Sequence, residues 1–160
     1  MTNFDTLAVA NRFQVTIDDG NIDLGLWSSV SGLDVTWGLC EYRAGDAGNA
    51  RWFYPGSTKY SDIQLTRAAC ADTMKVQQWL SGLSTAQNGS QKGRTSGSIN
   101  LLSADLSQSA VANWTLKNVM PLKWAIEKFD ASQSKVALET LTLAHEGFLS
   151  DETATGSSNL

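Results

Sequence analysis

The chain is short of the residues that most chemistry needs. It has one histidine, two cysteines and two prolines in 160 residues. With His145 alone, a multi-histidine metal site and a two-histidine acid–base pair are both excluded. Cys40 and Cys70 lie far apart and match no metal or redox spacing, so they read as ordinary thiols of a protein made in the cytoplasm. A Cys–His pair with His145 stays open on spacing, against the blander reading of two buried small hydrophobes. Basic residues form no run, and the net charge is −4 with a pI near 4.8, which argues against a nucleic-acid surface. No apolar stretch approaches the ~20 residues of a membrane span, and the start has no basic segment of a secretory signal. In a cytoplasmic protein the sequons at Asn88 and Asn113 carry no glycan. Neither GxGxxG nor GxxxxGK[ST] occurs. Thr95 to Ser98 after Arg94 could hold an anion but reads first as a surface turn. No cofactor, metal or catalytic residue is assigned, and an enzyme is the least favoured class.

What the chain does have is alternation. The hydrophobic fraction is 42% and the charged fraction 18%, below the roughly 25% of an average domain. Phe13, Val15 and Ile17 alternate with polar residues, as do Ile63 and Leu65, Ile99 and Leu101, and Ala112, Trp114 and Leu116. Leu33, Val35, Trp37 and Leu39 form the longest clean period-2 run in the first half. Each predicts a strand with one buried face. Asp18 to Asn21 has turn chemistry. Pro121 is expected to interrupt the fifth strand after Met120. Between Leu138 and Leu141 the apolar phase slips, which fits either a β-bulge near Glu139 and Thr140 or a strand contacted on both faces.

One helix is predicted, with Val76, Trp79, Leu80 and Leu83 on a single stripe, Asp72 or Thr73 at its N-cap and Gly82 near its end. Residues 87–97 read as a polar loop. The expected architecture is mainly β: an antiparallel sandwich or partly open barrel with one flanking helix. Residues 1–149 form a single domain, followed by a polar, disordered tail at 150–160.

Glu41 to Arg67 stands apart. A glycine-rich polar stretch runs into Trp52-Phe53-Tyr54, then Pro55-Gly56 and Lys59-Tyr60. Neighbouring extended residues point to opposite sides, so three consecutive aromatics expose at least one ring unless something covers it. Two readings are open: a contact site for a partner, or a long hairpin folded back on its own core. Most of the six Trp are expected to fill the core.

At this point the order of motifs resembles the tail-tube protein family of contractile phages and phage-like contractile injection systems. The carriers are Ser31-Gly32-Leu33, Glu41-Tyr42-Arg43, Pro55-Gly56 with Lys59-Tyr60, Ile63-Gln64-Leu65, Trp79, Trp114 and the ending Glu139 to Phe148. They span roughly Phe13 to Phe148. Trp52-Phe53-Tyr54 is bulkier than the family pattern, and the tail after Phe148 runs beyond it.

The resemblance implies a non-catalytic inner-tube subunit. Its copies would close into hexameric rings through a ring-wide β-barrel and stack around a hollow channel for cargo or DNA. The implied partners are other copies, a contractile sheath protein, baseplate and spike proteins, a cap or terminator, and luminal cargo, without specific nucleic-acid recognition. Glu41, Tyr42, Arg43, Trp52, Phe53, Tyr54, Pro55, Lys59 and Tyr60 are the implied inter-subunit residues. Asp34, Thr36, Gln64, Thr66 and Thr142 are lumen candidates, and the acidic balance would discourage the bore from gripping anionic cargo. The product would be assembled in the cytoplasm into a phage tail or phage-tail-like particle. Two alternatives stand beside this: the ring-forming tube protein of a type VI secretion machine, and a small ligand- or carbohydrate-binding β module stacking sugars on Trp52, Phe53 and Tyr54. A monomer that binds glycans would favour the latter.

Overall fold

The computed structural model describes residues 12–18, 21–43, 45, 48, 51–86, 95–103, 109–127, 132 and 135–149. Part of the first turn, most of the 87–97 loop and the 150–160 tail therefore lie outside the described residues. In chain order the elements are β1 (Phe13–Ile17), β2 (Ile22–Trp27), β3 (Ser29–Ser31), β4 (Val35–Tyr42), β5 (Trp52–Tyr60), β6 (Ile63–Ala68), α1 (Thr73–Ala86), β7 (Thr95–Leu102), β8 (Ala110–Ile126) and β9 (Leu138–Ala144).

Seven strands form one antiparallel sheet in the order β2-β1-β7-β8-β9-β6-β3. β8, 17 residues long, pairs with β7 over its first part and with β9 over its last. The two outermost strands are consecutive, separated only by Ser28, whose N–H donates to the Thr66 carbonyl at 3.1 Å. The sheet thus bends back on itself at β8 and at Ser28, and its two halves enclose the core between their inner faces. Phe13, Val15 and Ile17 of β1, Ile63 and Leu65 of β6, Ile99 and Leu101 of β7, and Leu141 and Leu143 of β9 all point inward, as their alternation predicts. α1 adds buried Val76 and Trp79, with Leu80 and Leu83 packed beside them.

Several expectations are corrected. Pro121 does not interrupt β8. β7 pairing ends at Val119, so the proline falls where one strand edge has lost its partner and its missing N–H costs no ladder bond on that side. Thr95 to Ser98 is not a turn but the start of β7. Gly82 lies inside α1, not at its cap. Both cysteines are exposed rather than buried.

The phase slip in β9 has a different cause from either one expected. Register with β6 is unbroken from Ala68↔Leu138 to Ile63↔Leu143, so β9 has no bulge against that partner. Leu138 faces out because the inward position beside it belongs to Glu139, which is fully buried. Its Oε2 accepts from Arg67 Nε at 2.8 Å and from the Thr73 hydroxyl at 2.8 Å, and its Oε1 accepts from Trp124 Nε1 at 2.9 Å. Arg67 is buried as well, donates to the Leu24 carbonyl at 2.6 Å, and lies 4.0 Å from the centroid of Trp27. Burial pushes the Glu139 carboxyl up, but the hydrogen bonds from Arg67, Thr73 and Trp124 outweigh it and hold the group below its ordinary 4.5. A buried pair of this kind joins β6, β8, β9 and α1, and removing one partner strands the other charge.

Candidate assembly interface

β4 and β5 form a separate two-stranded ladder outside the seven-stranded sheet. The ladder nevertheless grows out of that sheet. Ser31 pairs with Gln64 and Val35 with Tyr60, with three residues between them on each strand, 32–34 and 61–63. β3–β6 and β4–β5 are therefore one long hairpin in a single register. Its lower part is built into the sheet and its upper part projects as an arm. At about 3.4 Å per residue, the eight residues of β4 span roughly 27 Å.

The junction is specified locally. Gly32 has φ +88, and a Cβ there would collide with the Asp62 carbonyl oxygen, so only glycine fits. The Ser61 hydroxyl donates to Asp34 Oδ1 at 2.5 Å. His145 Nε2 bonds the Ser61 carbonyl at 2.9 Å, while Gly147 N–H donates to His145 Nδ1 at 3.1 Å. Since Nδ1 accepts, Nε2 carries the proton in this arrangement. Tyr60 packs edge-on against His145 and Phe148, with centroids 5.5 and 5.3 Å away. Both ring nitrogens of His145 are thus occupied by backbone, which leaves none directed at a cysteine. An isolated two-stranded hairpin is marginal in water, and this clamp holds the arm at its root.

Directly paired residues of an antiparallel ladder share a face. One face of the arm carries Val35, Trp37, Leu39 and Glu41, with Thr58, Pro55 and Phe53 opposite. The other carries Thr36, Cys40 and Tyr42, with Lys59, Tyr54 and Trp52 opposite. A bulge between Trp37 and Leu39 lets Gly38 and Gly56 approach so closely that a Cβ at Gly56 would stand 2.6 Å from the Gly38 oxygen. Trp37, Leu39 and Phe53 on one face, and Tyr42, Trp52 and Tyr54 on the other, are each between 56% and 67% exposed. Polar groups gather toward the tip, where Arg51 Nε meets Glu41 Oε1 at 3.1 Å beside Arg43.

The inter-subunit residues expected from sequence therefore all stand on this arm or at its root. The lumen candidates divide. Gln64 and Thr142 are cross-strand partners, and Thr66 follows on the same outer face of β6, opposite Thr140. Thr36 sits on the arm opposite Lys59, and Asp34 is bonded at the junction. Sequence reading missed the buried Arg67–Glu139 pair. A usable signal existed: each charge occupies the inward phase of its own strand. Four of the six Trp lie in or against the core, and Trp37 and Trp52 are on the arm. Among the described residues no cluster of His, Cys, Asp or Glu could hold a metal ion, and no helix is long and apolar enough to cross a membrane.

The described residues thus form a seven-stranded body bearing a clamped two-stranded arm that is largely uncovered on both faces. A family model described as T4-like virus tail tube protein gp19 matches residues 9–149. The chain belongs to that family and is a tail tube protein. Solved structures share the fold. One is from the sheath-tube complex of an extracellular contractile injection system, PVC, in its extended state (21% identity, TM-score 0.67, 92% of this chain and 95% of that one). Another is from the tube-terminating cap of the anti-feeding prophage (23% identity, TM-score 0.63, 86% and 85%). A third is a crystal structure of an Hcp protein (13% identity, TM-score 0.50, 84% and 88%). No curated protein sequence matches.

Proposed function

We propose that copies of this chain close into six-membered rings that stack as the inner tube of a contractile particle, and that the β4–β5 arm is the contact between copies. The observation that carries the reading is the arm itself, with six large aromatic or apolar side chains, each more than half exposed, gathered on its two faces. Burying a side chain of this size contributes roughly 1.5–3 kcal/mol, so covering the arm offsets a large share of the entropic cost of association. Six arms per ring act together, which multiplies the effect.

In this reading Glu41, Arg43 and Lys59 supply charge pairs across the contact, and Trp52, Phe53 and Tyr54 are its anchors. Gln64, Thr66 and Thr142 face the bore, with Asp34 and Thr36 at its margin. Residues 1–149 are one domain and 150–160 a tail. A contractile sheath outside, a baseplate with spike at one end and a cap at the other are the assigned partners, and cargo travels inside without sequence-specific contact. The chain itself catalyses nothing, and His145, its one candidate base, is spent on the root of the arm. Deleting residues 44–51 is expected to leave a folded subunit that no longer stacks. Tubes of normal appearance from that deletion, seen by negative-stain microscopy, sink the proposal.

A further inference from the structure

The one imidazole of the chain stands at the root of the arm, and its two nitrogens do opposite things. Nε2 donates to the Ser61 carbonyl at 2.9 Å, while Nδ1 accepts from the Gly147 N–H at 3.1 Å. Only the neutral ring with its proton on Nε2 makes both bonds. Gly147 is buried and tightly held. A Cβ there would stand 2.8 Å from the Tyr60 ring, and its carbonyl accepts from Lys117 N–H at 2.9 Å. Glu146 N–H donates to the Lys117 carbonyl at 2.8 Å, so β8 fixes the same segment from its other side. The Gly147 N–H therefore has little freedom to turn toward another acceptor.

A second proton on the ring breaks this arrangement. Imidazolium donates from both nitrogens, so Nδ1–H would face the Gly147 N–H, donor against donor. The Ser61 bond survives protonation and the Gly147 bond does not, which leaves a buried N–H without its acceptor. Charged groups reach the ring's surroundings from three elements. On the hairpin side Asp34 accepts from the Ser61 hydroxyl, Asp62 follows Ser61, and the Tyr60 phenol ring lies edge-on. On its own segment Glu146 accepts from Asn118 Nδ2 at 2.5 Å, and β8 contributes Lys117. Carboxylic acids ordinarily titrate near about pH 4, and amines and phenols near about pH 10. Imidazole is the side chain whose ordinary charge change falls between about pH 5 and 8.

We propose that His145 is a proton-operated latch on the arm, closed while the ring is neutral and open when it is charged. The closed state binds one proton fewer than the open one, so acid favours opening. An isolated two-stranded ribbon is marginal in water, so releasing the root exposes the β4–β5 ladder to exchange from Val35↔Tyr60 upward. The seven-stranded body has its own core and stays closed. Buried Glu139 does not confuse the two, because its carboxyl is held below 4.5 by Arg67, Thr73 and Trp124 against the opposing effect of burial. The latch lies within one copy and works whatever covers the arm.

Hydrogen exchange read by mass spectrometry tests the latch on the full chain, made without a histidine tag and diluted until light scattering shows no tubes. With intrinsic rates corrected for pH, acidification from about pH 7.5 to about 5.5 spans the imidazole range. It should speed exchange in residues 35–42 and 52–60 roughly tenfold, the order expected when one buried donor loses its acceptor. Peptides from β1, β6 and β9 should stay protected, and neutralisation should restore the arm. The ring C2–H signal in proton NMR, unambiguous in a chain with one histidine, should titrate at the midpoint of arm opening. His145→Asn offers an oxygen to the N–H two residues on and carries no titrating proton, so its arm should exchange alike at both pH values. Arm exchange in the parent that ignores pH overturns the latch, and so does a midpoint that differs from that of the ring. An equal acid response in His145→Asn also overturns it, by assigning the response to a carboxylate. Where His145→Asn already exchanges freely at neutral pH, the agreement or disagreement of the two parent midpoints decides.

Discussion

β3 and β6 continue into β4 and β5 without a change of register, yet the two halves of this hairpin have different surroundings. In the lower half Val30, Ile63 and Leu65 turn toward the core and are covered by it. In the upper half Trp37, Leu39 and Phe53 alternate in the same way but touch only their neighbours on the arm and stay more than half exposed. Period-2 alternation sorts side chains onto faces, and only the arrangement of other elements decides whether a face is covered. In the proposed reading the missing cover is the next subunit. The arm is stable alone only through its cross-strand pairs and the clamp at its root.

The largest effect belongs to the body. Glu139→Ala leaves the Arg67 guanidinium buried without its carboxylate, and is expected to cost about 3–5 kcal/mol, read as a fall in melting temperature by circular dichroism. Because the folded-state carboxyl of Glu139 titrates below its ordinary 4.5, its stabilisation is complete above that value and fades as pH falls through the lowered one. Melting curves of the parent and Glu139→Gln should therefore converge in acid. Curves that stay parallel to the lowest pH at which the protein folds contradict this account of the pair.

The comparison is sharpest with one substitution made in each half. Leu65→Ala in the fully covered half is expected to cost about 2–5 kcal/mol of subunit stability. Leu39→Ala on the arm should change subunit stability by no more than about 0.5 kcal/mol while lowering the yield of tubes. Equal losses of stability from the two would mean that the arm folds onto its own body in solution. The smallest effect is expected from Arg51→Ala. It breaks the exposed pair with Glu41 and should shift subunit stability by about 0–1 kcal/mol, less in high salt.

Much of the body was legible in the sequence. The inward faces of β1, β6 and β7 follow from apolar alternation, and the face of α1 from the spacing of Val76, Trp79, Leu80 and Leu83. What failed to read had specific causes. Glu139 occupies a core position with a charge, so the apolar period seemed to slip where the strand does not. Pro121 looked like a break because pairing partners are invisible in one strand. Cys40 and Cys70 look like small core residues by type, but one stands on the uncovered arm and the other at the end of the sheet.

By itself, then, the sequence determined which side chains share a face, because alternation along an extended backbone is local geometry. The structure showed where the arm leaves the sheet, at Gly32, whose positive φ and contact with the Asp62 carbonyl no other residue tolerates. Only the tertiary structure decided that Trp52, Phe53 and Tyr54 reach outward instead of folding home. That outcome depends on whether any second layer lies over β4 and β5. The body encloses its core by folding the two sheet halves together, and the arm projects past the end of that enclosure.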